Sequence, residues 1–168
     1  MRFYKNILVF FIFTGILWGC FNVPEFSNTP EVTFNKISRD IVVAQETGGY
    51  KDSVVISLNF KDGDGDLGYS QLEIADGAPY NFIVKQYRKV NGKYVEYMPN
   101  TSQSGHFHTL STDKPGPLKG IIHYTGIQIY HSFYPYAKDT VKFEIGIRDR
   151  AGLISNMVMT DSVILRAL

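Results

Sequence analysis

Ser53-Val54-Val55-Ile56-Ser57-Leu58-Asn59-Phe60 places Val54, Ile56, Leu58 and Phe60 at every second position, with Val55, Ser57 and Asn59 between them. A period of two marks a strand with one face in a core and the other wetter. The pattern returns near the C-terminus, where Val141, Phe143, Ile145 and Ile147 alternate with Lys142, Glu144, Gly146 and Arg148. Between these two stretches, Tyr80–Val90 and Lys93–Met98 flank Asn91-Gly92, a dipeptide that readily takes the two positive φ values of a tight hairpin turn. Weaker segments are Glu31–Ile37, resuming at Ile41–Ala44, then a turn at Gly48-Gly49 and a short strand within His106–Leu110. Leu118–Tyr124 and Ile127–Phe133 read as paired strands around Gly126, Asp149–Gly152 as a turn, and Met157–Leu165 as the closing strand. No convincing helix follows residue 30, and the abundance of Phe and Tyr favours strands. The expected fold is all-β, an antiparallel immunoglobulin-like sandwich of about seven to nine strands.

The N-terminus carries Arg2 and Lys5, no acid before Glu25, and an apolar run from Ile7 to Trp18 interrupted only by Thr14 and Gly15. That is the order of a secretory leader, read here as a signal-peptide helix. A bilayer-spanning helix needs about 20 apolar residues, and this run ends in the polar, proline-containing stretch Asn22–Pro30. Leu17-Trp18-Gly19-Cys20 resembles the bacterial lipobox, with Leu at the third position before Cys and a small residue directly before it. The resemblance implies a thioether-linked lipid on Cys20, cleavage before it and acylation of the new amino terminus. Two or more acyl chains hold a protein firmly on a membrane. The expected organisation is a leader at 1–19, a lipidated tether at 20–30 and one domain at 31–168.

Cys20 is the only cysteine, so stability must come from the core rather than from an intramolecular disulfide. Removing Arg2 and Lys5 with the leader leaves 15 basic residues against 16 acidic ones, which gives no electrostatic case for nucleic acid. Only Glu25 is acidic near the lipidated end. An outer-membrane lipoprotein is expected, with the periplasmic face favoured over the cell surface.

The most specific motif is Asp62-Gly63-Asp64-Gly65-Asp66-Leu67-Gly68, directly after the Ser53–Phe60 strand. Three carboxylates alternate with glycines, a composition suited to curling oxygens around a hard cation such as Ca²⁺. At about 5 Å and an effective dielectric of ~20, each carboxylate pair repels by roughly 3 kcal/mol, strain that a cation relieves. In a solvated loop the same Asp side chains would simply make Asx turns. Asp62, Asp64, Asp66, Ser70 and Glu73 fall at the first, third, fifth, ninth and twelfth places of an EF-hand loop, but Leu67 stands where that loop needs glycine. A strand leads in rather than a helix, so any calcium loop here has another geometry.

Two stretches, Asn59-Phe60-Lys61-Asp62-Gly63-Asp64-Gly65-Asp66-Leu67-Gly68 and Ile147-Arg148-Asp149-Arg150-Ala151-Gly152-Leu153-Ile154-Ser155-Asn156, carry a family likeness. The chain resembles small lipoproteins of Bacteroidetes-type bacteria that bear an immunoglobulin-like sandwich. The resemblance implies an envelope location and that fold, and brings no activity, catalytic residue or ligand with it. Leu153 stands where such turns often have Asn. Should the two stretches meet, either Asp149 adds a fourth carboxylate to the loop or Arg150 neutralises it.

His106 and His108 have the spacing of two metal ligands on one strand face, with His123 and His131 farther off, but no cysteine or positioned acid accompanies them. Surface histidines are the reading. Tyr130, Tyr134 and Tyr136 belong to an aromatic segment that also holds Tyr124, Phe133 and Pro135, and exposed rings stack on sugar faces or on partner proteins. No nucleophile elbow, phosphate-cradling loop or zinc-protease motif occurs. The expected function is a noncatalytic envelope module, lipid-anchored and serving adhesion, assembly or ligand capture, with structural Ca²⁺ at the acidic loop. Its rival is a carbohydrate-binding accessory lipoprotein of a glycan-uptake system.

Overall fold

The computed structural model describes residues 25–110, 115–136 and 138–165. The leader, the lipobox and Cys20 lie outside them. Eight strands are present among the described residues: β1 (Glu31–Ala44), β2 (Gly49–Asp62), β3 (Phe82–Val90), β4 (Lys93–Tyr97), β5 (Leu118–Tyr130), β6 (Thr140–Ile147), β7 (Val158–Met159) and β8 (Val163–Ile164). All pairings are antiparallel. One sheet runs β1-β2-β5; the other runs β4-β3-β6, with β7 and β8 on the remaining edge of β6. The chain therefore changes sheet after β2, after β4 and after β5. The first, second and fifth strands face the third and sixth, as in an immunoglobulin-like sandwich, with β4 placed beside β3 rather than beside β5.

The alternation that marked β2 and β6 determines how the layers meet. Val54, Ile56 and Leu58 point from β2, and Val141, Phe143, Ile145 and Ile147 from β6, all without solvent exposure. Burying each such side chain contributes about 1.5–3 kcal/mol. Phe82 from β3 stacks on Tyr124 from β5 at 3.9 Å between ring centres, which ties the two sheets through an aromatic pair. At the hairpin, Asn91 and Gly92 take φ of 50° and 81°, so the β3–β4 connection is the expected two-residue turn.

Several expectations are corrected. β1 is one strand from Glu31 to Ala44, kept continuous by a bulge at Asn35, where Phe34 pairs Leu58 and Lys36 pairs Ser57. Gly126 is not a turn between two strands. β5 runs through it as a bulge, with Val54 opposite Ile127 and Ile56 opposite Tyr124. The Tyr124 ring occupies the space where a residue-126 Cβ would stand. His106–Leu110 is not a strand: it makes one isolated bridge, His108 to Tyr69, next to another from Gly105 to Phe82. The closing strand is broken into β7 and β8 around Thr160, whose backbone N–H donates to Phe143 O while its hydroxyl accepts from Phe143 N–H.

A helix that the sequence reading did not anticipate, α1 (Gln71–Ala75), follows the acidic loop. Ser70 and Glu73 form its capping box: Glu73 N–H donates to Ser70 Oγ, and Ser70 N–H to Glu73 Oε2. These are the residues that an EF-hand would turn toward its ion, so that pattern is ruled out by what they actually bind. None of the described helices is long and apolar enough to cross a membrane.

Candidate metal centre

The inward alternation of β2 does not stop at its apolar residues. Asp52 and Asp62 continue it at the two ends, 1% and 0% exposed. β6 behaves alike, because Asp139 precedes its buried series and Asp149 follows it, 8% and 0% exposed. A carboxylate taken out of water needs a counter-charge or must stay protonated. At one end each has a basic partner. Arg39 Nη1 and His131 Nε2 reach Asp52 at 3.1 and 2.9 Å. Arg88 Nε donates to Asp139 Oδ2 at 2.7 Å, and the Tyr134 hydroxyl donates to the same oxygen at 2.8 Å.

At the other end the loop after β2 meets the turn after β6, through a bridge between Leu67 and Asp149. Here Asp62, Asp64, Asp66 and Asp149 gather with no basic side chain in salt-bridge range among the described residues. Each offers a buried oxygen without a hydrogen-bond partner: Oδ1 of Asp62, Asp64 and Asp66, and Oδ2 of Asp149. One carboxylate oxygen from each of Asp62, Asp64 and Asp66 lies within 4.8 Å of the others. Their remaining contacts aim them. Gly65 N–H donates to Asp62 Oδ2, Ala151 N–H to Asp66 Oδ2 and Leu153 N–H to Asp149 Oδ1. Backbone thus holds one oxygen of these three carboxylates and leaves the other for something else.

Where these stretches meet, Asp149 comes beside the loop through its bridge to Leu67 but stands outside the three-Asp group. Arg150 Nε donates to the backbone carbonyl of Asp66 at 3.1 Å. Gly65 is needed where it stands: its φ is 73°, and a Cβ there would lie 2.3 Å from Gly116 O. The loop also collects other segments. Gly63 N–H donates to Ser27 O ahead of β1, and Gly116 N–H to Asp64 O.

Burial, then Asp64, pushes the Asp62 carboxyl up to about 6 against its ordinary 3.8. Burial raises Asp66 too, with Asp149 and Asp64 adding to it, and burial raises Asp149. A carboxyl whose pKa is higher in the native state than in the unfolded chain binds more protons when folded, so it adds stability as pH falls. Cation-free protein is therefore expected to gain melting temperature between pH 7 and pH 5 and to lose it again as pH rises through about 6. Saturating Ca²⁺, which holds the carboxylates ionised, should reverse that slope. Melting curves at the two pH values, in chelator and in Ca²⁺, check the sign.

The histidines do not converge. His106 Nε2 lies 2.9 Å from Ala78 O and its ring sits 5.0 Å from Tyr80; His123 Nδ1 lies 2.8 Å from Ser57 Oγ; His131 serves Asp52. Among the described residues the three-Asp group is the only cluster of metal-binding side chains. Tyr130 and Tyr134 line a cleft with Phe133 of the same aromatic segment and with Tyr97, which nothing in the sequence connects with them. Tyr136 does not line it but packs edge-on behind Tyr97 and Tyr134, at 5.9 and 5.6 Å between ring centres, with the Arg88 guanidinium over its ring at 3.1 Å. Comparison with family models, with curated proteins and with solved structures gave no match for this chain.

Proposed function

We propose that this chain is a noncatalytic cell-envelope module, anchored through a lipid on Cys20, whose sandwich is closed at one end by a structural divalent cation. The observation that carries the cation is the convergence of the Asp62, Asp64 and Asp66 carboxylates, each with a buried oxygen that has no partner, with a further such oxygen on Asp149 at the neighbouring turn. Ca²⁺ is the ion favoured. Its oxygen ligands stand at about 2.3–2.6 Å, so opposite ligands lie roughly 5 Å apart, and it accepts irregular carboxylate shells. The 4.8 Å limit on the Asp62, Asp64 and Asp66 oxygens suits that sphere. The lipid anchor and the envelope location rest on the leader and on Leu17-Trp18-Gly19-Cys20. The noncatalytic reading rests on the sequence, in which no nucleophile elbow, phosphate-cradling loop or zinc-protease motif occurs.

Calorimetric titration of chelator-treated protein with Ca²⁺, and separately with Mg²⁺, tests the metal. One-site heat with Ca²⁺ is expected; silence with both ions, together with an unchanged melting temperature, removes it. For the anchor, radiolabelled fatty acid should enter the wild-type chain and not Cys20→Ser. Recovery of an unlabelled wild-type chain with residues 1–19 attached would remove the lipoprotein reading.

A further inference from the structure

Opposite the acidic loop in chemistry, a surface cleft of about 330 Å³ opens between the segment after β4 and the C-terminal half of β5. Ligand pockets begin at about this size. Its wall combines the rings of Tyr97, Tyr130, Phe133 and Tyr134 with the amide side chains of Gln103 and Gln128. No charged side chain lines it, although one residue in five of the chain is charged. We infer that this cleft binds a neutral oligosaccharide, the sugar's apolar ring face lying on the aromatic surface and its hydroxyls meeting the amides.

The chemistry selects that ligand in three steps. No lining side chain is ionised, and the nearby Lys51, against the Tyr130 ring, is already paired with Glu46, which argues against phosphates, acidic peptides and uronic acids. Aromatic rings beside amides and the hydroxyls of Ser102 and Thr101 suit a molecule apolar on one face and hydroxylated at its rim. Finally, the platform is held in advance. The Tyr134 hydroxyl is tied to Asp139, its ring meets that of Tyr97 edge-on at 5.6 Å, and Gln128 Nε2 donates to Ser53 Oγ and Thr125 O. The Tyr124 hydroxyl donates to Gln103 O at 3.0 Å and fixes that part of the wall. Rigid side chains lose little entropy on binding.

Phe133 is the part of this surface that folding does not explain. It is 72% exposed, with its ring 6.1 Å from that of Tyr130. A smaller recess of about 190 Å³ shares Tyr97 and Gln103 with the cleft and is also lined by Gln86 and by one charge of each sign, Lys85 and Glu96. Gln86 is 2% exposed, donates from Nε2 to the Tyr134 hydroxyl, and has its Oε1 buried with no hydrogen-bond partner. An acceptor left unmatched there is what a ligand hydroxyl would satisfy.

The test is an NMR titration of the isotope-labelled chain with cellotetraose, maltotetraose, mannotetraose and xylotetraose, each to about 10 mM, a range that captures millimolar affinities. The expected result is a saturable shift with at least one of them, centred on the amides of Gln103, Gln128 and Phe133. Phe133→Ala should weaken that binding roughly tenfold, the loss of one ring contact, with the melting temperature unchanged because the ring is exposed. Tyr97→Ala should weaken it as well. The inference is overturned by absence of saturation with all four sugars, by shifts that map away from the cleft, or by a Phe133→Ala variant that binds as the wild type does.

Discussion

Asp62→Asn is expected to change stability in opposite directions with and without Ca²⁺. In chelator the variant should melt above the wild type, because the amide oxygen can still accept from Gly65 N–H while the NH₂ group faces the orphaned oxygens of Asp64 and Asp66. The gain should be on the order of 1–3 kcal/mol, the repulsion removed from one carboxylate pair at an effective dielectric of about 20. In Ca²⁺ at about 1,000 times its dissociation constant, the wild type should gain about 4 kcal/mol. That corresponds to roughly 10 °C of melting temperature for a domain of this size. The variant should lose most of this gain. Asp149→Asn, whose amide oxygen can still take the Leu153 N–H, should behave alike. Thermal melts of the three proteins in chelator and in Ca²⁺ decide the matter. A variant less stable than the wild type in chelator, with both responding equally to Ca²⁺, would mean that these carboxylates hold the fold by hydrogen bonding and not by holding an ion.

Phe82→Ala should be the most damaging single truncation in the core. Phe82 has no solvent exposure, and its backbone pairs with Ile147 in β6 and exchanges both hydrogen bonds with Gly105. Removing a buried Phe costs about 3–5 kcal/mol, a large part of the 5–15 kcal/mol by which a typical domain is stable. The ring also supports Tyr124, whose hydroxyl holds Gln103, so the cleft should loosen together with the core. Urea unfolding should show the midpoint falling at nearly constant slope. A loss below about 1 kcal/mol would mean that the inter-sheet stack does not organise the sandwich.

Much of this architecture is legible residue by residue because its causes are local. Val54 to Phe60 and Val141 to Ile147 declare their faces by a period of two, and Asn91-Gly92 declares a turn by its backbone conformation. Carrying the same period one step beyond the apolar residues would also have marked Asp52, Asp62, Asp139 and Asp149 as inward-facing. What misled was local ambiguity. Gly126 could serve a turn or a bulge, and the Tyr124 ring that fills its space decides for the bulge. Ser70 and Glu73 fit a metal loop and a capping box equally well by spacing, and the backbone N–H groups of the short helix claim them.

Local sequence is enough for the all-β class, the hairpin and the presence of an acidic loop, since each depends on neighbours along the chain. It could not say which carboxylates share a site. Asp149 reaches the loop only because the ends of β2 and β6 are packed at the same edge of the sandwich, while Arg150 is drawn off to a carbonyl. Nor could it assemble the aromatic cleft, whose rings and amides come from β4, from the segment after it, and from β5 and its following turn. Contacts between residues so far apart in the chain are set by how apolar faces bury one another, and that is a property of the folded whole.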